Sequence, residues 1–229
     1  MISVCMATYN GEEFVQEQLS SVLSQLAEND EVIIVDDCSS DGTVQIIRSY
    51  ADARIQLRVN KNNIGPIRSF EKAICLSKGD YIFLSDQDDV WLPNKVLRVE
   101  KVFKNCSSSL IIHDASVTDA KLNVVSSSWN RFNHNYFGRT IPSTIFKNSY
   151  TGSMMAFNRE ILPEILPFPQ QIVMHDWWIA LCCIKNKRKI TTLSDKLMLY
   201  RRHLGNVTGK RQSIFKMIRD RWRMLMAIS

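Results

Sequence analysis

Three carboxylates fall within four residues at Asp86-Gln87-Asp88-Asp89, directly after the apolar run Tyr81-Ile82-Phe83-Leu84. Packing gives no reason to end a buried strand this way, because clustered acids repel one another and lose hydration. A divalent cation relieves both penalties. Oxygen-rich clusters suit hard ions such as Mg2+ or Mn2+, which keep coordination positions open for phosphate oxygens. The implied chemistry is metal-assisted work on a phosphorylated substrate. Two other templates fit worse. A calcium loop needs glycine where Trp91 stands and glutamate where Leu97 stands. Asp86-Gln87-Asp88-Asp89-Val90 also matches the Asp-x-Asp-x-Val nucleophile motif of aspartate-dependent phosphatases. That motif belongs on a first strand with an acidic pair downstream, and here no two acids are adjacent after Asp89.

Further candidates sit at other polar breaks. Thr8-Tyr9-Asn10 and Asp36-Asp37 each follow an apolar run. Asp37 reads as an acceptor for base N–H or ribose hydroxyl groups; the alternative, a helix cap, can be supplied by Ser40 and Asp41. His175-Asp176-Trp177-Trp178 places a carboxylate beside two indoles. Asp176 there can act as a general base, with Trp177 and Trp178 as an acceptor wall, since indole faces pack well on sugar rings. The bland reading makes both tryptophans core. Arg201-Arg202-His203 offers phosphate partners and a metal ligand, or simply a solvated basic turn.

The elements that must carry these residues alternate. Apolar runs at 2–6, 31–35, 54–59 and 81–85 read as strands, and helical spacing covers 12–26, 43–50, the stretch ending at 76, and 94–104. Four strand–helix alternations predict an α/β fold, a mostly parallel central sheet with helices on both faces. In open parallel sheets ligands bind beyond the carboxyl ends of the strands, so the three polar clusters converge on one edge. After residue 105 the pattern loosens. Strands are expected near 110–112 and 153–157 and a helix near 176–186, while 126–150 shows no period. One domain over 1–209 follows, with a nucleotide-type half at 1–105 and an acceptor-type half at 106–209. Residues 210–229 form a basic amphipathic helix, with Ile214, Phe215, Ile218, Trp222, Leu225 and Met226 on one face. That helix suits an anionic membrane surface or a docked position on the domain or a partner.

The chain has 229 residues, 23% charged and 45% hydrophobic, an ordinary globular balance. Of the net charge of +6, residues 210–229 supply five through six basic residues against Asp220, so the body is near neutral and a nucleic-acid surface is not expected. No apolar run reaches the length of a membrane span, and the N-terminus lacks a basic leader. Six cysteines without Cys-x-x-Cys spacing read as reduced thiols of a cytoplasmic protein, which gives the acceptor patterns at Asn105-Cys106-Ser107 and Asn206-Val207-Thr208 little weight.

Taken in order, these residues resemble the family 2 glycosyltransferases, inverting enzymes with the GT-A fold. The resemblance rests on Met6-Ala7-Thr8-Tyr9-Asn10-Gly11-Glu12, on Ile34-Val35-Asp36-Asp37-Cys38-Ser39-Ser40-Asp41-Gly42-Thr43, and on Gly79-Asp80-Tyr81-Ile82 leading into Asp86-Gln87-Asp88-Asp89. Tyr200-Arg201-Arg202-His203 and Asn206-Val207-Thr208-Gly209 make it most similar to rhamnosyltransferase-type members that build bacterial surface polysaccharides. The resemblance implies that Tyr9 stacks on the base with Ala7 and Thr8 beside it, that Asp37 binds base or ribose, and that Asp86 approaches ribose and metal. It implies Mn2+ or Mg2+ on Asp88 and His203, Arg201 or Arg202 against the leaving diphosphate, and Asp176 as catalytic base. The family usually has Glu-Asp where this chain has His175-Asp176. The Gln/Arg-x-x-Arg-Trp element of processive synthases is missing after Asp176, which implies single-sugar transfer. The implied donor is a nucleotide-diphosphate sugar and the acceptor a saccharide or lipid-linked saccharide. A non-catalytic nucleotide-sugar-binding subunit is the alternative, and it would have lost the base or a metal ligand.

Overall fold

The continuous apolar run Glu31–Asp36 forms a strand buried along its whole length, as a parallel strand covered on both faces must be. In the computed structural model, which describes residues 1–203 and 213–229, it is β2 of a nine-stranded sheet. The chain runs β1 (Ile2–Thr8), α1 (Val15–Leu23), β2, α2 (Thr43–Ser49), β3 (Ile55–Val59), α3 (Pro66–Leu76), β4 (Tyr81–Ser85), β5 (Val90–Trp91) and α4 (Lys95–Cys106). It continues through β6 (Leu110–Thr118), β7 (Val124–Ser126), α5 (Trp129–Phe132), α6 (Ile141–Phe146), β8 (Met155–Asn158), α7 (Leu162–Ile165), α8 (His175–Lys185), β9 (Ile190–Arg201) and α9 (Ile214–Ile228).

The strand order is β3-β2-β1-β4-β8-β6-β9-β5, with β7 paired to β6. From β3 to β4 every pairing is parallel. This is the part that the alternating pattern predicts. Beyond β4 the sheet changes character: β8 runs antiparallel to β4 and β6, β9 is parallel to β6, and β5 is antiparallel to β9. Among the described residues only the β6–β7 pair is joined by a short hairpin-like connection; the other antiparallel neighbours are brought together across long intervening segments.

Strand β9 is absent from the sequence reading. Its central Ser194-Asp195-Lys196 breaks the apolar pattern, and its ladder with β6 shifts register on either side of Asp114, which upsets any period of two. Residues 126–150 hold only two short helices, too brief for a visible helical period. Gly65, at the start of α3, takes φ +83°, a left-handed conformation that glycine adopts without strain, and Pro66 then opens the helix.

One apolar cluster runs from Ile2 in β1 through Phe157 in β8 to Met224 and Ile228 in α9. Each of its wholly buried Val, Ile and Leu side chains contributes about 1.5–3 kcal/mol. Helix α8 lies inside this cluster, with His175 through Cys183 all buried. A helix that is apolar all round belongs in a core. All six cysteines are unpaired. Among the described residues no helix is long and apolar enough to cross a membrane. The motif Asn206-Val207-Thr208-Gly209, with Lys210 and Arg211, lies outside the described residues.

Candidate active site

The carboxyl ends of β1, β2 and β4 open onto a cavity of about 260 Å3. Ala7, Thr8 and Tyr9 enter it from β1, Asp37 from β2, and Asp86, Gln87 and Asp88 from β4. The far wall is built by Thr151 and Gly152, by Met174, His175 and Asp176 at the start of α8, and by Tyr200 and His203 at the end of β9. Thus eight residues singled out in the sequence, Ala7, Thr8, Tyr9, Asp37, Asp86, Asp88, Asp176 and His203, meet at one cavity although they span 197 positions, from 7 to 203.

The nucleotide-facing side is held by local hydrogen bonds. Asp36 turns inward, where it accepts from Thr8 Oγ1 at 2.8 Å and from the Ser39 backbone at 2.9 Å. Asp37 accepts from the backbone N–H groups of Ile64 and Gly65, both at 2.8 Å, and from Asn60 Nδ2 at 3.0 Å. It therefore orders the 60–65 loop that forms the cavity rim. Tyr9 is about half exposed, as a stacking platform must be. Gln87 clamps its backbone, accepting from Tyr9 N at 2.8 Å and donating to Tyr9 O at 3.1 Å. Gln87 was legible as part of the acidic motif, but its role is visible only once β1 and β4 lie side by side.

The acidic end of β4 divides its labour. Asp88 Oδ2 lies 2.8 Å from His203 Nε2, joining β4 to the end of β9. Asp86 sits on the cavity floor. Desolvation, then the charges of Asp88 and Asp176, push its carboxyl up to about 7. Asp89 points into the protein, where one oxygen accepts the Arg201 backbone N–H at 3.0 Å and the other has no hydrogen-bond partner among the described residues. Burial and the neighbouring acids hold it well above the usual carboxylate range. Beneath them Lys95 is buried, 3.0 Å from the Ser153 carbonyl and 4.0 Å from the Trp91 ring. Desolvation pulls its amine down to about 7, against the opposing pull of Asp89 and Asp86. Sequence reading missed Lys95, because one lysine in the first turn of an amphipathic helix ordinarily faces solvent.

Asp176 occupies the first turn of α8. Its carboxylate accepts from Trp177 N at 2.5 Å, Gly152 N at 3.1 Å and Asn148 Nδ2 at 3.3 Å. Burial pushes it up to about 6, and these three donors oppose that rise. A carboxylate titrating near the working pH is suited to general base catalysis. His175 beside it stacks on Phe70 at 4.2 Å, and burial lowers its imidazole to about 4, so the ring is neutral. Among the described residues neither ring nitrogen has a hydrogen-bond partner. Gly152 makes room for this ring: a Cβ there would lie 2.8 Å from His175 Nε2.

Four expectations need correction. Trp177 and Trp178 are core residues, not an acceptor wall, because α8 is packed on all sides. Their indole N–H groups donate to Thr144 O at 2.9 Å and Ile165 O at 2.8 Å. Arg201 does not line the cavity. Its guanidinium is buried, pairs with Glu17, donates to Asp88 O at 2.8 Å and Ala120 O at 2.9 Å, and lies over Phe14. It braces the acidic loop from behind. Arg202 lies over the Phe132 ring at 5.2 Å and does not line the cavity. Met174, Phe70, Ile67 and Asn63 line it instead. These four residues are ordinary in composition and gave no signal in the sequence.

The residues present fit a divalent ion. Among the described residues no group of three His, Cys, Asp or Glu forms a complete protein cage. Asp88 and His203 form a pair of oxygen and nitrogen donors at the cavity mouth. Mg2+-type sites use one or two protein ligands and complete the shell with phosphate and water.

Comparison with known proteins bears on this fold and cavity. Residues 3–166 match the family model described as glycosyl transferase family 2. The chain is 30% identical over 244 residues to the dTDP-rhamnosyl transferase RfbG of Shigella flexneri, covering 95% of this chain and 80% of that one. It is 33% identical over 106 residues to the Escherichia coli UDP-Glc:alpha-D-GlcNAc-diphosphoundecaprenol beta-1,3-glucosyltransferase WfgD, covering 46% and 42%. In structure it resembles the mannosyltransferase PcManGT of Pyrobaculum calidifontis, solved with GDP-Man and Mn2+, at a TM-score of 0.67 and 19% identity, covering 99% and 62%. The chain belongs to the family 2 glycosyltransferases. It is a glycosyltransferase of GT-A fold, and the aspartate-dependent phosphatase reading falls away.

Proposed function

We propose that this protein transfers a single sugar from a nucleoside-diphosphate sugar to a hydroxyl of a saccharide or lipid-linked saccharide, with inversion, in the synthesis of a bacterial surface polysaccharide. One observation carries the reading: a buried, triply hydrogen-bonded Asp176 shares a cavity with the acidic end of β4. On this reading residues 1–105 hold the donor and 106–209 the acceptor, while α9 (Ile214–Ile228) is a C-terminal helix packed on the domain. Tyr9, Ala7, Thr8 and Asp37 take the nucleoside, and Asp86 approaches the ribose. Asp88 and His203 would hold Mn2+ or Mg2+, which supplies a Lewis acid toward the departing diphosphate.

The reaction needs a proton sink on the acceptor side. Asp176 takes the proton of the acceptor hydroxyl as its oxygen attacks the anomeric carbon. The new glycosidic bond forms as the bond to the diphosphate oxygen breaks on the opposite face, so configuration inverts. A buried carboxylate suited to the base and an oxygen–nitrogen donor pair suited to the metal both line the cavity, which favours an enzyme over a non-catalytic subunit.

The similarity to a dTDP-rhamnosyl transferase supports dTDP-rhamnose as donor. The three relatives described above use dTDP, UDP and GDP sugars by name, so a donor panel must include all three bases. A lipid-linked acceptor, as the name of the Escherichia coli relative specifies for that enzyme, supports a reading in which the work is done at the inner face of the cell membrane. The test is transfer from that panel with Mn2+ or Mg2+, in wild type and Asp176→Asn. The variant is expected to lose about 10³-fold or more in rate while keeping donor affinity. Near-normal turnover in Asp176→Asn would remove it from the role of base.

A further inference from the structure

Helix α9 has two faces. Met224 and Ile228 are buried against α8 and α6, and Val173 N lies 3.4 Å from Met224 Sδ. On the other side Phe215 is 87% and Trp222 61% exposed, with Ile214, Ile218 and Met226 also open. At 100° per residue these positions form one sector of about 120° that lies beside the docked face rather than on it. Basic residues border it along both edges. Arg219 and Arg223 lie on one side and Arg221 on the other, where its guanidinium stands 5.0 Å over the exposed Phe146 of α6. Asp220 is the only acid of α9 and faces the domain, 3.8 Å from Arg219.

We propose that the open face of α9 docks on an anionic lipid surface. The inference rests on the lipid-linked acceptor reading above. An apolar sector edged by arginines on both sides matches an interfacial helix: aromatic and aliphatic side chains enter the acyl boundary while the guanidinium groups reach out to phosphate headgroups. Among the described residues of α9 no acid stands on the open side, so charge complementarity favours headgroups over a partner with mixed charges. The position is also apt. Met224 packs beside Val173, next to Met174 and the His175-Asp176 start of α8. A lipid surface on α9 therefore brings a membrane-held acceptor to the side of the protein that carries the base.

Flotation of the full protein with vesicles tests this. Binding to phosphatidylglycerol–phosphatidylcholine vesicles is expected, weakened roughly tenfold on pure phosphatidylcholine or in high salt. The pair Phe215→Ser with Trp222→Ser, and the pair Arg219→Glu with Arg223→Glu, should each abolish flotation. All four residues lie off the docked face, so thermal melting should be unchanged. Calorimetric binding of dTDP, UDP and GDP with Mn2+ runs in parallel. Lost flotation with intact nucleotide binding in the variants supports the lipid surface. Wild type that binds a nucleotide and ignores anionic vesicles overturns the lipid surface and leaves the transferase reading standing. A dimer in light scattering that Phe215→Ser with Trp222→Ser converts to a monomer also overturns it, because a second copy then covers the face.

Discussion

Asp176 is held between two opposing effects. Burial favours its neutral form, while Trp177 N, Gly152 N and Asn148 Nδ2 favour the carboxylate, and the balance lies at about 6. A base works only when ionised. Catalytic efficiency should therefore rise with pH through about 6 and level off above it. Asn148→Leu removes a donor that stabilises the charged form, so the acid limb should move to higher pH and activity at pH below the limb should fall. A profile that superimposes on wild type would show that Asn148 does not hold the base. Asp176 was legible because a carboxylate amid an apolar helix invites explanation. Asn148 was not, since it lies in a stretch without period and reaches the base only through tertiary packing.

Helix α4 and strand β4 meet through Lys95. The lysine leaves the first turn of α4, passes under the acidic strand end and reaches the Ser153 carbonyl at 3.0 Å. The short turn Gly152–Met154, which carries Ser153, also supplies Gly152 N to Asp176, so one buried amine ties the β4 acids to the support of the base. Lys95→Met should cost about 2–4 kcal/mol, because it removes a buried amine coupled electrostatically to Asp86 and Asp89 and takes the donor from the Ser153 carbonyl. A lower urea midpoint with an unchanged slope would show it; an unchanged midpoint would mean that the acids need no counter-charge. Element reading worked best for β1 to β4, whose residues are mostly apolar or, in β3, alternate with a period of two. It missed β9, whose polar centre and shifted ladder hide a strand of twelve residues.

The cavity is closed by contacts between distant parts of the chain. Asp88 and His203 are 115 positions apart and 2.8 Å apart in space. If they act as one metal site, Asp88→Ala and His203→Ala should each weaken Mn2+-dependent donor binding by at least about tenfold, and the double variant should lose little more than either alone. Calorimetry with and without Mn2+ measures all four proteins. Fully additive losses would separate the two residues.

The order of chemistry along the chain could be read from one dimension. Strands ending in Tyr9, Asp37 and Asp86-Gln87-Asp88-Asp89 must deliver those groups to one sheet edge, because a parallel strand's carboxyl end has a single direction. What a side chain faces was beyond that reading. Arg201 looks like a phosphate ligand and serves as a buried brace. Trp177 and Trp178 look like a sugar platform and fill the core. The difference lies in α8 being enclosed on every side and β9 being threaded beneath the acidic loop. Burial depends on neighbours from other parts of the chain, and spacing along the sequence carries no record of them.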